Sequence, residues 1–307
     1  MAIDWQKSLV ELAEAAKAVS AARVAAFSDL AHSDVDAFRT MWGGMVAERR
    51  RRIVDRMVEL AEDIVEFNFD TVFRICLDDD DRMVRLKAIE GLAESCEPYL
   101  IEPLLHVLRY DSDTGVRAGA AFALGRFSML AELKKLRPSY GERLQDALLE
   151  ALGEDDLPQE LRRRVVEAIA PLCNPRVTAL IEEAYSSQQS AMRASALYAM
   201  GRNCDPRWIP VLVRELASPE VEMRYEAATA LGELGEDAGV PYLVGLVRDD
   251  DVQVQEAALT ALGKIGTNEA KRVLRAVAKD SDDRLREVAL DALREAEAAD
   301  DLLISYE

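Results

Sequence analysis

The stretch RYEAATALGELG, residues 224–235, returns 31 residues later as QEAALTALGKIG, residues 255–266, and stands 31 residues earlier as RASALYAMGRNC, residues 193–204. Aligned on apolar–Arg–x–x–small–x–x–Ala/Gly–apolar, the Arg position, charged in all copies but one, falls at Arg85, Arg117, Arg162, Arg193, Arg224, then Gln255, then Arg286. The steps are 32, 45, 31, 31, 31 and 31 residues. Within each copy the small and apolar residues recur at spacings of three and four, as in Ala227, Ala230 and Leu231, which places them on one helical stripe. Six residues before each charged position stands a residue of helix-starting type: Asp79, Asp111, Asp156, Ser187, Ser218, Asp249 and Asp280. Pro219 fits a first helical position, where no N–H is missed. A shorter amphipathic helix precedes each cap, as in PRVTALIEEAY from Pro175, PRWIPVLVREL from Pro206 and GVPYLVGLVRD from Gly239. Each unit is therefore a hairpin of two helices. One hairpin cannot bury its apolar stripe alone, so neighbours stack and share a continuous core. The expected fold is all-α: a right-handed α-α superhelix of about seven hairpins with an N-terminal helical cap.

Composition agrees. Half of the 307 residues are apolar, only 6% are aromatic, and Gly and Pro are sparse, which favours helices over sheets. The net charge of −19 repels phosphate backbones and argues against nucleic acid as a partner. Asp4, Lys7, Glu11 and Glu14 interrupt the start of the chain where a signal peptide needs an apolar run. No apolar run has the length of a membrane span, so a cytoplasmic protein without a membrane partner is expected. Four cysteines are too few for a disulfide framework. Cys96, Cys173 and Cys204 each stand eleven residues after the charged position, where Gly235 and Gly266 stand in the next two units and Ser128 in another. The position calls for a small residue at a helix end. Cysteines one repeat apart lie at about the helix-packing distance of 8–10 Å, too far for a disulfide.

Units of the DDDVQVQEAALTALGKIG kind, from about Asp70 to Ala298, resemble the short bacterial HEAT repeats also seen in phycobilisome-lyase subunits. The wider look of AERRRRIVDRMVELAED and YAMGRNCDPRW resembles HEAT-repeat proteins of bacteria without an established activity. The resemblance implies an α-solenoid. It also implies a hydrogen-bonded ladder between stacked units, carried over as Asp79 with Arg85, Asp111 with Arg117, Asp156 with Arg162, and Asp280 with Arg286. Arg193 and Arg224 face Ser187 and Ser218 at the acidic position, so the ladder is expected to be weaker there. The signatures of tetratricopeptide and ankyrin repeats are absent.

The ends depart from the period. Residues 4–26 read as one amphipathic helix, SDVDAFRTMW as a short helix capped by Ser33, and Gly43–Gly44 as a break. A long helix from about Met45 to Glu66 then stands in for the second helix of a degenerate first unit. Residues 1–43 are thus expected to cap a solenoid spanning 44–307, with an insertion near 128–141 that forms an extra helix or lengthens its neighbours. Arg49–Arg52 cannot share one helical face and read as a solvated face rather than a nucleic-acid patch. LRRRVV at 161–166 reads the same way, and DLLISYE as an apolar plug or a frayed end.

No catalytic set emerges. His32 and His106 stand apart, and neither adjoins a Glu as in the iron-binding HEAT-repeat hydroxylases. There are no paired cysteines for zinc, no Gly-x-Gly-x-x-Gly, and only Gly263–Lys264–Ile265 where a phosphate loop would be sought. No cofactor is expected. The function expected is a non-catalytic scaffold that binds a protein partner on its concave face. The alternatives are an enzyme or enzyme subunit of chromophore-lyase type, or a HEAT-like nucleic-acid-modifying protein, against which the acidic balance argues.

The surface supplies the candidates. Five residues after the charged position the units carry Glu90, Phe122, Glu167, Tyr198, Thr229, Thr260 and Asp291. Nine residues after it they carry Glu94, Arg126, Pro171, Arg202, Glu233, Lys264 and Glu295. Such variation within one chain marks exposure on the row of second helices. Aromatics and arginines anchor interfaces, so the partner-binding candidates are Phe122, Arg126, Tyr198, Arg202, Trp208, Tyr225 and Glu226. Trp208 and Tyr225 also read as ordinary packing between repeats.

Overall fold

The computed structural model describes residues 4–14, 18–279 and 283–304, with backbone alone for 299–304. Every regular element among the described residues is helical. The chain divides into two compact units, residues 1–168 and 169–307.

In the first unit, α1 (Trp5–Ala13), α2 (Ala21–Val24) and α3 (Val35–Gly43) surround an aromatic cluster of Trp5, Phe27, Phe38 and Trp42. The single helix expected over 4–26 is therefore broken. α1 ends at Ala13, residues 15–17 lie outside the described set, and the chain restarts at Ala21 to bring Phe27 onto Phe38 at 5.4 Å. Ser33 does not cap α3, which follows a short 3-10 turn over His32–Asp34. α4 (Ala47–Asp63) packs on α6 (Arg82–Leu92), as the second helix of a degenerate unit should. α5 (Asp70–Cys76) pairs with α6, and α7 (Ile101–Tyr110) with α8 (Thr114–Glu132). The insertion lengthens its neighbours: α8 runs 19 residues and α9 (Pro138–Leu152) runs 15, joined by a five-residue turn. α10 (Gln159–Ile169) follows after six residues.

The second unit repeats the hairpin with less variation. α11 (Pro175–Tyr185) pairs with α12 (Ser190–Asn203), and α13 (Ile209–Glu215) with α14 (Val221–Leu234). α15 (Val240–Leu246) pairs with α16 (Val252–Ile265), and α17 (Asn268–Val277) with α18 (Asp283–Ile304). Residues 301–304 of the C-terminal stretch continue α18, and 305–307 lie outside the described set.

Second helices touch their neighbours backbone to backbone. A Cβ built on Gly201 would stand 2.7 Å from the Cα of Ala230, and one on Gly232 2.7 Å from that of Ala261. One on Gly263 would stand 2.9 Å from the Cα of Ala292. In the first unit Gly125 meets Ala168 in the same register, at 3.3 Å. The glycine lies eight residues after the charged position, and the alanine six after the next one. This contact is why the phrase repeats.

The helix starts differ from the sequence expectation by two residues. The N-caps are Asp81, Asp113 and Asp251, whose carboxylates accept from the first-turn amides. Asp79, Asp111 and Asp249 stand two residues earlier, and each Oδ1 accepts from the backbone N–H of the capping residue at 2.8–2.9 Å. Ser187 and Ser218 do the same through their hydroxyls for Gln189 and Glu220. Pro219 thus precedes the capping residue Glu220 instead of opening α14.

The ladder exists, and its side chains pair across hairpins. Arg85 donates from Nη1 to the backbone carbonyl of its own Asp79 at 2.8 Å. Its Nε and Nη2 grip the carboxylate of Asp111, in the next hairpin, at 2.6 and 2.9 Å. Arg224 repeats this on Ser218 O at 3.0 Å and on Asp249 at 2.8 Å twice. Gln255 makes the backbone half alone, to Asp249 O. The register carried over from the resemblance is therefore corrected: Arg117 does not pair with the Asp111 side chain, nor Arg85 with that of Asp79. At the insertion Arg117 holds Leu108 O at 2.7 Å and the exposed Glu154 at 2.6 Å, while Asp156 is exposed. Arg162 donates to Leu152 O at 3.3 Å. Arg193 takes Glu220 at 2.7 Å, in place of the serine at 218. Arg286 pairs with Asp283, and Asp280 lies outside the described residues.

The first rung lies in the arginine run. Arg49 and Arg50 are each 5% exposed, so a solvated face is wrong for these two. Arg49 donates to the backbone of Leu12, and Arg50 holds Asp79 from Nη2 at 2.9 Å. Arg51 holds the capping Asp81, and only Arg52 fits the solvated reading, pairing with Glu48.

These pairs set a pH dependence. The Arg51 guanidinium holds the Asp81 carboxyl down to about 2. The Arg224 guanidinium holds that of Asp249 below its usual range, and the Val116 amide and Arg82 do so for Asp113. Folded values below the unfolded value of about 3.9 contribute stability that is fully present above about pH 5. That stability is lost as pH falls through the folded values toward about 2. Urea unfolding at pH 6 and at pH 3 is expected to show a smaller loss in Asp81→Asn than in the wild type. Equal losses would remove Asp81 from this account.

The cysteine position has a backbone reason. Gly235 and Gly266 end α14 and α16 with φ of 70° and 67°, and Cys204 ends α12 with φ of 54°. A side chain in this left-handed conformation costs about 1–2 kcal/mol. Cys204→Gly is expected to raise stability by about 1 kcal/mol, seen as a higher denaturation midpoint. An unchanged or lower midpoint would contradict that reading.

Candidate interaction surface

The ladder and the Gly–Ala contacts turn the same residues outward from each second helix. Five residues after the charged position, Glu90, Phe122, Thr260 and Asp291 are exposed, Tyr198 and Thr229 half-buried, and only Glu167 is buried, paired with Arg164. Nine residues after it the side chains pair along the row. Arg126 bonds Glu94 at 2.7 Å and the Cys96 thiol at 3.2 Å. Arg202 stands 3.6 Å from Glu233, which also takes Lys264. Neighbouring helices thus carry opposite charges here, which accounts for much of the variation at this position.

Each unit carries a groove on its second helices. In the first, a trough of 480 Å³ runs between α6, α8 and α10. Its floor is Leu86, Ile89, Ala118, Gly119 and Phe122, with Glu90, Glu160 and Arg164 at the edges. Gly115, Ala118 and Gly119 keep α8 low before Phe122, so Leu86 and Ile89 lean against Gly119. Phe122 is 52% exposed, and the Arg164 guanidinium carbon lies 6.0 Å from its ring centre. In the second unit, 330 Å³ opens between α14, α16 and α18 beside Tyr225, Thr229, Glu256, Thr260 and Lys264.

Of the residues read from the sequence, Phe122 and Tyr225 are exposed, and Arg126, Tyr198, Arg202 and Glu226 are partly buried. Trp208 is 3% exposed and donates from its indole to Asn203 Oδ1 at 3.0 Å. Asn203 in turn donates to Ala170 O, so Trp208 packs the hairpin turn and offers no surface. Arg164 and Glu160 escaped the sequence reading. The signal for them was the run of small residues at helical spacing before an exposed phenylalanine.

Cys76 is buried and Cys96, Cys173 and Cys204 are exposed, all as free thiols. Among the described residues no group of three or more His, Cys, Asp or Glu side chains is placed to hold a metal ion, and no helix is long and apolar enough to cross a membrane.

Stacked helical hairpins with a backbone-contact spine define an α-solenoid of short repeats. The chain belongs to the HEAT repeats family, whose profile matches residues 70–156, 145–222 and 209–294. No curated protein matches it. Among solved structures it is similar to the complex of CpcE and CpcF of phycocyanin lyase from Nostoc sp. PCC7120. That likeness has 18% identity over 77% of this chain and 94% of that one, with a TM-score of 0.52. Human deoxyhypusine hydroxylase in complex with glycerol is similar at 19% identity over 87% of this chain and 96% of that one, with a TM-score of 0.38. At these identities the first likeness speaks for the fold alone.

Proposed function

We propose that the chain is a non-catalytic scaffold that holds a protein partner on its row of second helices. The observation that carries this is Phe122. The other phenylalanines of the repeats, Phe73 and Phe127, are 0–1% exposed, whereas Phe122 stands half in water over an apolar trough. Exposed aromatics in a concave, mostly apolar site are common anchors of protein interfaces. Tyr225, 40% exposed, offers a second anchor in the other unit. The net charge of −19 favours a protein partner over a nucleic acid.

The test is affinity capture from an extract of the native host, with wild type and a Phe122→Ser/Tyr225→Ser variant side by side. The reading expects at least one stoichiometric partner to be lost from the variant. Recovery of the same partners in the same amounts would refute it.

A further inference from the structure

The trough beside Phe122 has a chemistry of its own. Its floor is apolar, and Lys87, Arg163 and Arg164 at its rim each pair with a carboxylate more exposed than themselves. On the α6 side Lys87, 34% exposed, pairs with Glu90 at 2.8 Å and lies 3.8 Å from Asp55; these two are 48% and 47% exposed. On the α10 side Arg163 and Arg164 are 20% and 36% exposed, and both pair with Glu160, which is 50% exposed. Arg164 also pairs with Glu167. The cations are already bonded to carboxylates, so an approaching molecule meets Glu90 on one bank, Glu160 beside the paired Arg164 on the other, and hydrocarbon between them. A volume of 480 Å³ has room for a few side chains, as in clefts of about 300–1,000 Å³.

We propose, resting on the scaffold reading above, that this trough takes a partner segment presenting a large apolar side chain flanked by Lys or Arg. The apolar group fills the space over Leu86, Ile89 and Gly119, edge or face to Phe122. The flanking cations reach Glu90 on one bank and Glu160 on the other, replacing water without displacing the internal arginines. An acidic segment would meet two carboxylates and be repelled.

The test uses the full-length chain. A displayed library of random 16-residue peptides is selected on wild type, and enriched sequences are synthesised and titrated by fluorescence anisotropy. The expected winners carry Leu, Met, Phe or Trp between basic residues. Phe122→Ser is expected to weaken them at least about tenfold. Glu90→Gln/Glu160→Gln is expected to weaken them roughly three- to tenfold, and Tyr225→Ser to leave them unchanged. Circular dichroism confirms that each variant retains its helix content. Acidic or uncharged winners, no winners, or indifference to Phe122→Ser would overturn the proposal. Winners that depend on Tyr225 and not on Phe122 would overturn it and leave the scaffold reading standing. The capture experiment with the double variant decides that reading separately.

Discussion

Gly232→Ala is expected to destabilise the chain by about 2–3 kcal/mol, at the upper end of overpacking costs. The reason is positional. The added Cβ would fall 2.7 Å from the Cα of Ala261 and 2.8 Å from its Cβ. These are backbone and near-backbone atoms, so no side chain can swing away, and α14 and α16 must separate along their contact. Gly201→Ala, facing Ala230, and Gly263→Ala, facing Ala292, are expected to behave alike. Gly245→Ala is the control. It lies exposed on α15 with nothing within 4 Å of the new atom, and a gain of about 0.5–1 kcal/mol is expected there from helix propensity. Denaturant midpoints at constant slope read the difference. A Gly232→Ala variant as stable as wild type would mean that the second helices do not touch as described.

Asp79→Leu is expected to cost about 3–5 kcal/mol, the range for stranding one member of a buried ion pair. Asp79 is 3% exposed and Arg50 5%. Besides gripping Arg50, the carboxylate accepts from the Trp42 indole at 2.8 Å and from the Asp81 amide at 2.9 Å. It therefore ties the N-terminal helices, the first rung and the start of α6 together. Asp79→Asn keeps one acceptor, for the Asp81 amide, but sets an NH2 group against the Trp42 indole N–H; it is expected to lose less than Asp79→Leu, which keeps neither acceptor. Asp80→Leu is the comparison. Asp80 also touches Arg50 but is 87% exposed, so a change of under about 1 kcal/mol is expected. Similar losses for Asp79→Leu and Asp80→Leu would contradict the buried rung.

The sequence shows the hairpin period because the same contact must be made at every step. Alanines on the stripe, glycine on the contact side and an arginine to reach across are each required once per unit. The register of the ladder was not legible. Asp111 stands 6 residues before Arg117 but 26 after Arg85, the arginine that grips it, and only the fold reveals that the carboxylate serves the preceding hairpin. Arg50 was hidden for a related reason. Its hairpin is degenerate, and four consecutive arginines cannot be sorted into buried and solvated by periodicity when the neighbouring helix is unknown. Of the surface, Phe122 was visible as a large residue at a variable position, while Tyr225, one residue after Arg224, also read as packing between repeats. The trough was not, because its far bank comes from α10, 38–42 residues further along the chain at Glu160 and Arg164.

Two double-mutant cycles test the stacking most directly. The first removes Arg85 and Asp111, the second Arg85 and Asp79, each as single and double changes to Ala under urea unfolding. The structure predicts a coupling of about 1.5–3 kcal/mol between Arg85 and Asp111, as for a partly buried charge-assisted bidentate bond. It predicts no more than about 0.5 kcal/mol between the side chains of Arg85 and Asp79, since Arg85 touches only the Asp79 carbonyl. Coupling within the hairpin and none across it would contradict the account.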